Sequence, residues 1–326
     1  MKIAVVGATG LVGRMIMQVL EEHAIKAEFF LFASQRSAGK KMILMGREHT
    51  IIELERSNVE KVKPDFALFC AGGDISRKYA DIFTKLGCTI IDNSSAFRCE
   101  TNVPLVVPEV NPEDVKGIKK GIIIANPNCS TIGSVVALKP LDDAYGLKRV
   151  IYTTYQAVSG AGQEGINDYH AGLRGEQLKK FPYPIINNLI PHIDTFLDNG
   201  NTKEEEKMIF ETRKILHKPN LAVTATCCRV PIENCHSIAI NIEFEKKPDI
   251  THIKKLLANA PGVVLWDEPA ANKYPMPFIA NGKDEVFVGR VRIDESRPNC
   301  INLFTVSDNV RKGAATNAVQ ILKLLI

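Results

Sequence analysis

The amino-terminal segment KIAVVGATGLVGRMIMQVLEEH joins a short apolar run to an amphipathic one through closely spaced glycines. The apolar run has the length of a buried strand, and Met15, Ile16, Val19 and Leu20 then recur on one face at helical spacing. A strand followed at once by a helix is the repeating unit of layered α/β domains with a parallel sheet. The start of the chain therefore predicts such a domain.

The glycines between this strand and helix, Gly7, Gly10 and Gly13, have the spacing GxxGxxG. Glycines there permit a tight turn, a close approach of the backbone to a pyrophosphate and close packing of helix on strand. Backbone N–H groups at the start of a helix also attract an anion. The motif predicts a dinucleotide-binding turn, and a merely structural turn is the alternative.

The second strand, AEFFLFAS, ends in SQRSAGK, which lacks the acidic residue that binds the ribose 2′-hydroxyl in NAD enzymes. Ser34, Arg36 and Ser37 offer hydroxyls and a guanidinium that suit a 2′-phosphate. This pattern favours NADP over NAD, and a solvated basic loop is the alternative. Strands within PDFALFCAGG and CTIID continue the alternation of strand and helix.

Composition narrows the class of protein. The 326 residues, 45% hydrophobic and 24% charged, suit two soluble domains, and no apolar stretch is long enough to span a bilayer. The chain does not begin like a signal peptide, so we expect a cytoplasmic protein. The 8 cysteines show no CxxC and no Cys/His ligand spacing, so we expect free thiols and no metal site. A formal charge of +4 does not indicate nucleic-acid binding but suits an anionic substrate.

A candidate nucleophile lies in IIIANPNCSTIGSVVAL, residues 122–138, where an apolar run leads through Asn126, Pro127 and Asn128 to Cys129 at the start of a helix. Unpaired N–H groups and the helix dipole at such a position favour a thiolate over a thiol. The alternative is a small, buried, apolar cysteine.

Beyond residue 128 the pattern changes to alternating strands and isolated helices, which predicts an α+β unit. Residues 171–202 are polar and rich in proline, which indicates a surface excursion or a subunit contact. Thr202 is a candidate helix cap, and Glu204 and Lys207 share a face of the helix that follows, where an exposed ion pair is the alternative. Arg98, in the polar loop DNSSAFR, suits a phosphate or is an ordinary surface arginine.

Together these segments resemble the aspartate-semialdehyde dehydrogenases over nearly the whole chain and in the same order. The matching motifs are GATGLVG at 7–13, ASQRSAG at 33–39, DNSSAFR at 92–98, NPNCST at 126–131, YQAVSGAG at 155–162, EEEK at 204–207, RVPIENCHS at 229–237 and DNVRKGAA at 308–315. One departure is Cys235, where many members have glycine before the His-Ser pair. A second thiol beside the histidine suggests sensitivity to oxidation.

The resemblance implies a fold and a set of catalytic residues. We expect an α/β protein with a Rossmann-type dinucleotide-binding domain, residues 1–127 and 308–326, and an α+β catalytic and dimerisation domain, residues 128–307, with a mixed, largely antiparallel sheet. Cys129 matches the acylated nucleophile, Gln156 the residue that orients the acyl group, and His236 the general acid/base. An unperturbed histidine pKa near the working pH suits that role.

The resemblance also implies the binding residues. Arg229 and Glu204 match the groups that hold the substrate α-carboxylate and α-amino group, while Lys207, Arg98 and Asn93 match the phosphate site. The predicted cofactor contacts are Gly7, Thr9, Gly10, Leu11, Val12, Ser34, Arg36, Ser37, Ala71, Gly72, Ser159, Gly160 and Asn309.

The expected reaction is the NADPH-dependent reduction of L-aspartyl 4-phosphate to L-aspartate 4-semialdehyde and inorganic phosphate, in a homodimer or a tetramer of dimers. An N-acetylglutamyl-phosphate reductase is the alternative enzyme, but its acylated amine gives Glu204 no charge partner. A non-catalytic NADP-binding redox sensor would explain the glycine turn and the thiols, but not Arg229, Glu204 and Lys207.

Overall fold

The structure is a computed structural model that describes all 326 residues. The chain forms two compact units, residues 1–127 with 314–326, and residues 128–313. From the sequence we assigned residues 308–313 to the first domain, whereas in the structure they pack with the second unit. Asp308 fixes this segment there, because its carboxylate accepts hydrogen bonds from the backbone N–H groups of Gly282, Val310 and Arg311.

The elements of the first unit, in chain order, are β1 (Lys2–Val6), α1 (Leu11–Glu22), β2 (Glu28–Ala33), β3 (Lys41–Leu44), β4 (Arg47–Thr50), β5 (Ile52–Glu53), α2 (Arg56–Val62), β6 (Phe66–Phe69), α3 (Gly73–Lys85), β7 (Thr89–Asp92) and β8 (Ile123–Ala125). Those of the second unit are α4 (Cys129–Tyr145), β9 (Leu147–Gln156), α5 (Gly162–Leu173), α6 (Lys203–Ile215), β10 (Ala222–Arg229), β11 (His236–Phe244), α7 (Ile250–Asn259), β12 (Val263–Leu265), α8 (Pro277–Ala280), β13 (Val286–Ile293) and β14 (Cys300–Ser307). The last helix, α9 (Thr316–Leu325), returns to the first unit.

The first unit is built on a parallel sheet of 6 strands in the order β5-β2-β1-β6-β7-β8. Alternate residues of β1 enter different cores: Ile3 and Val5 pack in the cluster that contains residues of α1 and α9, whereas Ala4 and Val6 pack in the cluster of α2 and α3. Helical layers on both faces explain why the strands are almost entirely apolar. The Rossmann-type prediction is confirmed.

The second unit contains a mixed sheet of 6 strands in the order β10-β9-β11-β14-β13-β12. Its central pairs are antiparallel, as the alternating sequence pattern predicts. The edge strands β10 and β12 are instead parallel to β9 and β13. The connection from β9 to β10 passes through α5 and α6, and a long helical crossover is what a parallel pair requires.

Helix α6 begins as predicted, with a capping box. The side chain of Thr202 accepts the N–H of Glu205 at 3.3 Å, and the Glu205 carboxylate accepts the N–H of Thr202 at 2.7 Å. None of the helices is both long and apolar enough to cross a membrane.

Candidate active site

Three strand ends in the second unit bring the predicted polar residues to one edge of its sheet. Gln156 and Arg229 are the last residues of β9 and β10, and they are direct partners in the parallel register. His236 is the first residue of β11, which runs antiparallel to β9. All three side chains are buried. The residues are far apart in sequence, and strand pairing makes them neighbours.

Cys129 is the first residue of α4 and lies beside this edge. Asn128 caps the helix, because its Oδ1 accepts the N–H groups of Ser130 at 3.0 Å and Thr131 at 3.2 Å. The Cys129 sulfur stands 3.2 Å from His236 Nε2 and is only partly buried. A half-accessible thiol at a helix start and in contact with an imidazole is a suitable nucleophile.

The hydrogen bonds of His236 determine which ring nitrogen carries the proton. The backbone N–H of Ala157 donates to Nδ1 at 3.1 Å, and a backbone amide can only donate. The neutral ring therefore carries its proton on Nε2 and presents it to the Cys129 sulfur. Burial, and then the nearby Arg229 charge, lower the pKa of His236 well below its usual range. The expectation of an ordinary histidine pKa is wrong, and the reason is desolvation.

Arg229 is a buried cation next to these groups. Its Nη1 donates to the carbonyl of Ala157 at 2.6 Å. Burial lowers its pKa, and the negative charges of Glu204 and Cys129 partly oppose that effect. The attraction between Arg229 and Cys129 is mutual, so the Arg229 charge would stabilise a Cys129 thiolate.

Glu204 connects several parts of the site. Its buried carboxylate accepts hydrogen bonds from Asn128 Nδ2 at 2.8 Å, Gln156 Nε2 at 3.2 Å and Lys207 Nζ at 3.2 Å. Burial alone would raise the pKa of Glu204, but the Lys207 ammonium and these hydrogen bonds hold it below its ordinary value. The alternative interpretation, an exposed ion pair between Glu204 and Lys207, is wrong for Glu204, because only 7% of its side chain is exposed.

Lys207 lies at the more open side of this cluster, with 23% of its side chain exposed. Its ammonium also contacts Asp194 Oδ2 at 2.7 Å. Asp194 belongs to the polar segment before α6, so that segment contributes directly to the cluster. A phosphate bound by Lys207 would share its ammonium group with the carboxylates of Glu204 and Asp194.

In the first unit, Arg98 is buried in the loop that follows β7. Its Nε donates to the Asn126 carbonyl and its Nη2 to the Asn93 carbonyl, both at 2.9 Å. The Asn93 amide is engaged within the protein, since Nδ2 donates to Phe69 O at 3.0 Å and Oδ1 accepts from Asn126 Nδ2 at 2.9 Å. The surface-arginine alternative for Arg98 is wrong, because the side chain is part of a buried network.

The glycine turn of the first unit has the shape that a dinucleotide requires. Gly7 has a φ of +89°, and a Cβ there would stand 2.9 Å from the backbone N of Ala71. A Cβ on Gly13 would stand 2.3 Å from the Gly7 carbonyl oxygen, so the helix packs too closely for a side chain. Gly10 precedes α1 and provides no side-chain cap, which leaves the first-turn N–H groups to an anion.

The other predicted cofactor residues of this unit follow neighbouring strands. Val6 and Phe32 are partners in the register of β1 and β2, so the glycine turn and the loop with Ser34, Arg36 and Ser37 start side by side. Ala71 and Gly72 follow β6, and Thr9, Leu11 and Val12 lie in the turn and first residues of α1. In the second unit, Asn309 Nδ2 donates to Ser159 Oγ at 2.9 Å.

Comparisons with known proteins agree with this geometry. Residues 2–118 match a family model described as semialdehyde dehydrogenase, NAD binding domain, and residues 138–312 match semialdehyde dehydrogenase, dimerisation domain. The aspartate-semialdehyde dehydrogenase of Aquifex aeolicus is 52% identical, over 100% of this chain and 98% of that protein. The chain belongs to the aspartate-semialdehyde dehydrogenase family.

Two solved aspartate-semialdehyde dehydrogenases have related structures. Enzyme II of Vibrio cholerae, complexed with ASA, has a TM-score of 0.93 and 43% identity, and the match covers 99% of this chain and 97% of that one. The Candida albicans enzyme with NADP has a TM-score of 0.78 and 27% identity, with 99% and 98% coverage. The chain is therefore an oxidoreductase with an NAD(P)-binding domain and a dimerisation domain.

Two groups that position the active site, Asn128 and Glu211, were not predicted from the sequence of this aspartate-semialdehyde dehydrogenase family member. Asn128 could have been identified as a helix cap from its residue type and its position before Cys129. Glu211, in the middle of α6, accepts the Asn128 N–H, with 2.6 Å between Oε2 and N. No local pattern in the sequence indicates that contact.

Cys235 has a φ of +77°, a backbone conformation that favours glycine. The Cys235 thiol is fully buried, and burial followed by the Asp308 charge raises its pKa. A buried, protonated thiol is inert, so the suggested sensitivity to oxidation has no support in the structure.

Proposed function

We propose that this protein catalyses the NADPH-dependent reductive dephosphorylation of L-aspartyl 4-phosphate to L-aspartate 4-semialdehyde through a thioester on Cys129. The observation that carries the proposal is the 3.2 Å contact between Cys129 Sγ and His236 Nε2 at the start of α4. It joins a nucleophile to a proton-bearing group, beside the buried and oppositely charged Arg229 and Glu204.

Cys129 forms and releases the covalent intermediate. Its thiolate attacks the acyl carbon, a C–S bond forms, and the C–O bond to phosphate breaks with release of inorganic phosphate. NADPH, when bound, supplies the hydride that reduces the thioester carbon. The resulting alkoxide on Cys129 re-forms a carbonyl, and the C–S bond breaks to give the aldehyde and the thiolate. Once the thiolate exists, none of these steps requires a base to remove a proton.

His236 acts in this scheme as the donor at Nε2. In the neutral ring that proton faces the sulfur, where it stabilises the thiolate, and it is available to the oxyanion that follows. Taking the thiol proton would place a proton on both ring nitrogens, and Nδ1 faces the Ala157 N–H. This arrangement favours stabilisation of negative charge by a neutral imidazole.

Charge and position support the substrate assignment. Arg229 suits the α-carboxylate because its planar guanidinium gives two parallel hydrogen bonds. Glu204 suits the α-ammonium, and its ionised state is favoured by the surrounding donors. We assign the phosphate to Lys207, Arg98 and Asn93, with Gln156 orienting the acyl group.

The glycine turn fits a dinucleotide, and Arg36 with Ser34 and Ser37 supports the choice of NADP. Arg36→Ala should weaken NADP binding roughly ten- to hundredfold, because a charge-assisted contact to the 2′-phosphate contributes about 1.5–3 kcal/mol. NAD binding should change little. Titration of both cofactors into Arg36→Ala, with the exposed Lys40→Ala as the matched control, measures this. An equal loss for NAD and NADP would assign Arg36 a structural role.

We further propose that the reaction serves the biosynthesis of the aspartate-family amino acids and that the protein works as a homodimer. We assign the contact between the two subunits to the second unit, because that unit matches the dimerisation domain of the family. Light scattering of the purified protein tests the assembly: twice the chain mass is expected, and a monomer at assay concentration contradicts it.

A steady-state assay in the reverse direction tests the proposed reaction. The protein should reduce NADP when given aspartate semialdehyde together with inorganic phosphate or arsenate. Without either anion, continuous turnover should stop, because the thioester then has no efficient acceptor. Equal turnover without phosphate, or a preference for the N-acetylated glutamate analogue, would refute the assignment.

A further inference from the structure

We propose that Gly313 is a positioning residue for the nucleophile: because it has no side chain, its backbone packs directly against Cys129 and fixes the sulfur opposite His236. The inference rests on the proposed role of Cys129. It concerns a residue that none of the preceding assignments uses.

The segment Arg311–Ala315 forms a π-helical turn between β14 and α9. The N–H of Gly313 donates at 3.0 Å to the carbonyl of Asp308, five residues earlier in the chain. Such wide turns are rare, and they are frequently found at functional sites. In this chain the turn places the Gly313 backbone against the first residue of α4.

The space between Gly313 and Cys129 is smaller than one methyl group. A Cβ on Gly313 would stand 2.8 Å from Cys129 Cβ and 3.3 Å from Cys129 Cα. Carbon atoms in contact prefer about 3.5–4.0 Å. A different Cys129 rotamer cannot relieve this overlap, because the Cβ position is set by the backbone. Either the turn or the start of α4 would have to move.

Hydrogen bonds hold both sides of this contact in place. On one side, Asp308 accepts three backbone N–H groups, and the buried Arg311 guanidinium donates to Asp284 at 2.8 and 3.1 Å. On the other side, Asn128 caps α4 and is itself held by Glu204 and Glu211. An added methyl group therefore displaces the sulfur, since neither neighbour moves away without loss of several contacts.

Such a displacement would most directly change the distance of 3.2 Å between Cys129 Sγ and His236 Nε2. A misplacement of about 1 Å at a reacting centre can cost on the order of a hundredfold in rate. A structural glycine would affect stability, whereas a positioning glycine also affects the reactivity of the thiol before any substrate or cofactor binds.

The test compares Gly313→Ala with Gly172→Ala, whose new Cβ would also meet a carbon at 2.8 Å, but on the Ile186 side chain in the region of α5. Two properties are measured: the rate at which iodoacetamide alkylates Cys129 in the cofactor-free protein, by peptide mass mapping, and kcat. Gly313→Ala should lower both by roughly tenfold to a hundredfold. Gly172→Ala should behave like the wild type in both measurements.

Asp284→Asn provides a second variant in case Gly313→Ala does not fold. This substitution weakens the ion pair between Asp284 and Arg311 that holds the turn, and it adds no non-hydrogen atom. Because Asp284 is 31% exposed, the variant should fold. Severalfold slower alkylation of Cys129 in folded Asp284→Asn supports the inference. Wild-type alkylation rates and kcat in folded Gly313→Ala, or a wild-type alkylation rate in Asp284→Asn, overturn it. If wild-type protein itself shows no phosphate-dependent turnover, the proposed function fails instead.

Discussion

Cys129→Ala should abolish turnover and leave NADP binding nearly unchanged. Removal of the nucleophile from an enzyme that works through a covalent intermediate lowers kcat by roughly 10⁴-fold or more. The predicted pyrophosphate and 2′-phosphate contacts belong to the first unit, whereas Cys129 belongs to the second. Steady-state kinetics and a cofactor titration on the same preparation measure both effects.

The competing thiols provide the control for this assignment. Cys99 is exposed, so it should alkylate at the rate of an ordinary thiol. Burial raises the pKa of Cys70 to about 12, with a smaller contribution from Asp92, and burial also raises the pKa of Cys88. Cys129 should therefore alkylate fastest at neutral pH. Faster alkylation of Cys99, together with activity in Cys129→Ala, would assign the chemistry to another group.

Arg229→Leu should lower kcat/KM by a factor on the order of thirty to several thousand, because the loss of one member of a buried charge pair costs about 2–5 kcal/mol. The substitution removes one of the two cations that act on Glu204, leaving Lys207, and it removes the proposed partner of the substrate carboxylate. Arg229→Lys should recover little, since an ammonium cannot form two parallel hydrogen bonds.

Arg149→Leu is the matched control, because Arg149 is a half-buried arginine on β9 at the opposite end of the β9–β10 pairing. It should lose little activity. Kinetics with aspartate semialdehyde and with an N-acetylated substrate, on variants shown to bind NADP, complete the test. Unchanged kcat/KM in Arg229→Leu would refute the substrate assignment.

Much of the fold follows from local sequence patterns. The apolar runs before glycine turns predict parallel strands, and Thr202, as a candidate cap, predicts the start of α6. The parallel placement of β10 was not predicted, because periodicity identifies a strand but gives no information about its partner. Residues 308–313 were assigned to the wrong side of the boundary because Asp308 is held there by the backbone N–H of Gly282, which is remote in sequence.

The site divides in the same way. Residue types alone identify Cys129 as a candidate, and the family resemblance supplies His236, Arg229 and Glu204. Which ring nitrogen of His236 carries the proton was not predictable. It depends on a hydrogen bond from the backbone N–H of Ala157, a residue that pairing of β9 with β11 brings close. The roles of Glu211 and Gly313 also depend on contacts between distant segments. Each of these features is a consequence of packing.

A single-turnover experiment without phosphate tests the thioester on Cys129 most directly. Aspartate semialdehyde and NADP should give a burst of NADPH equal to the concentration of active sites, followed by a stall. Mass mapping of the quenched protein should find the aspartyl adduct on the peptide that contains Cys129, and added phosphate should remove the adduct and restart turnover. No burst, an adduct on another residue, or continuous turnover without phosphate would contradict the account.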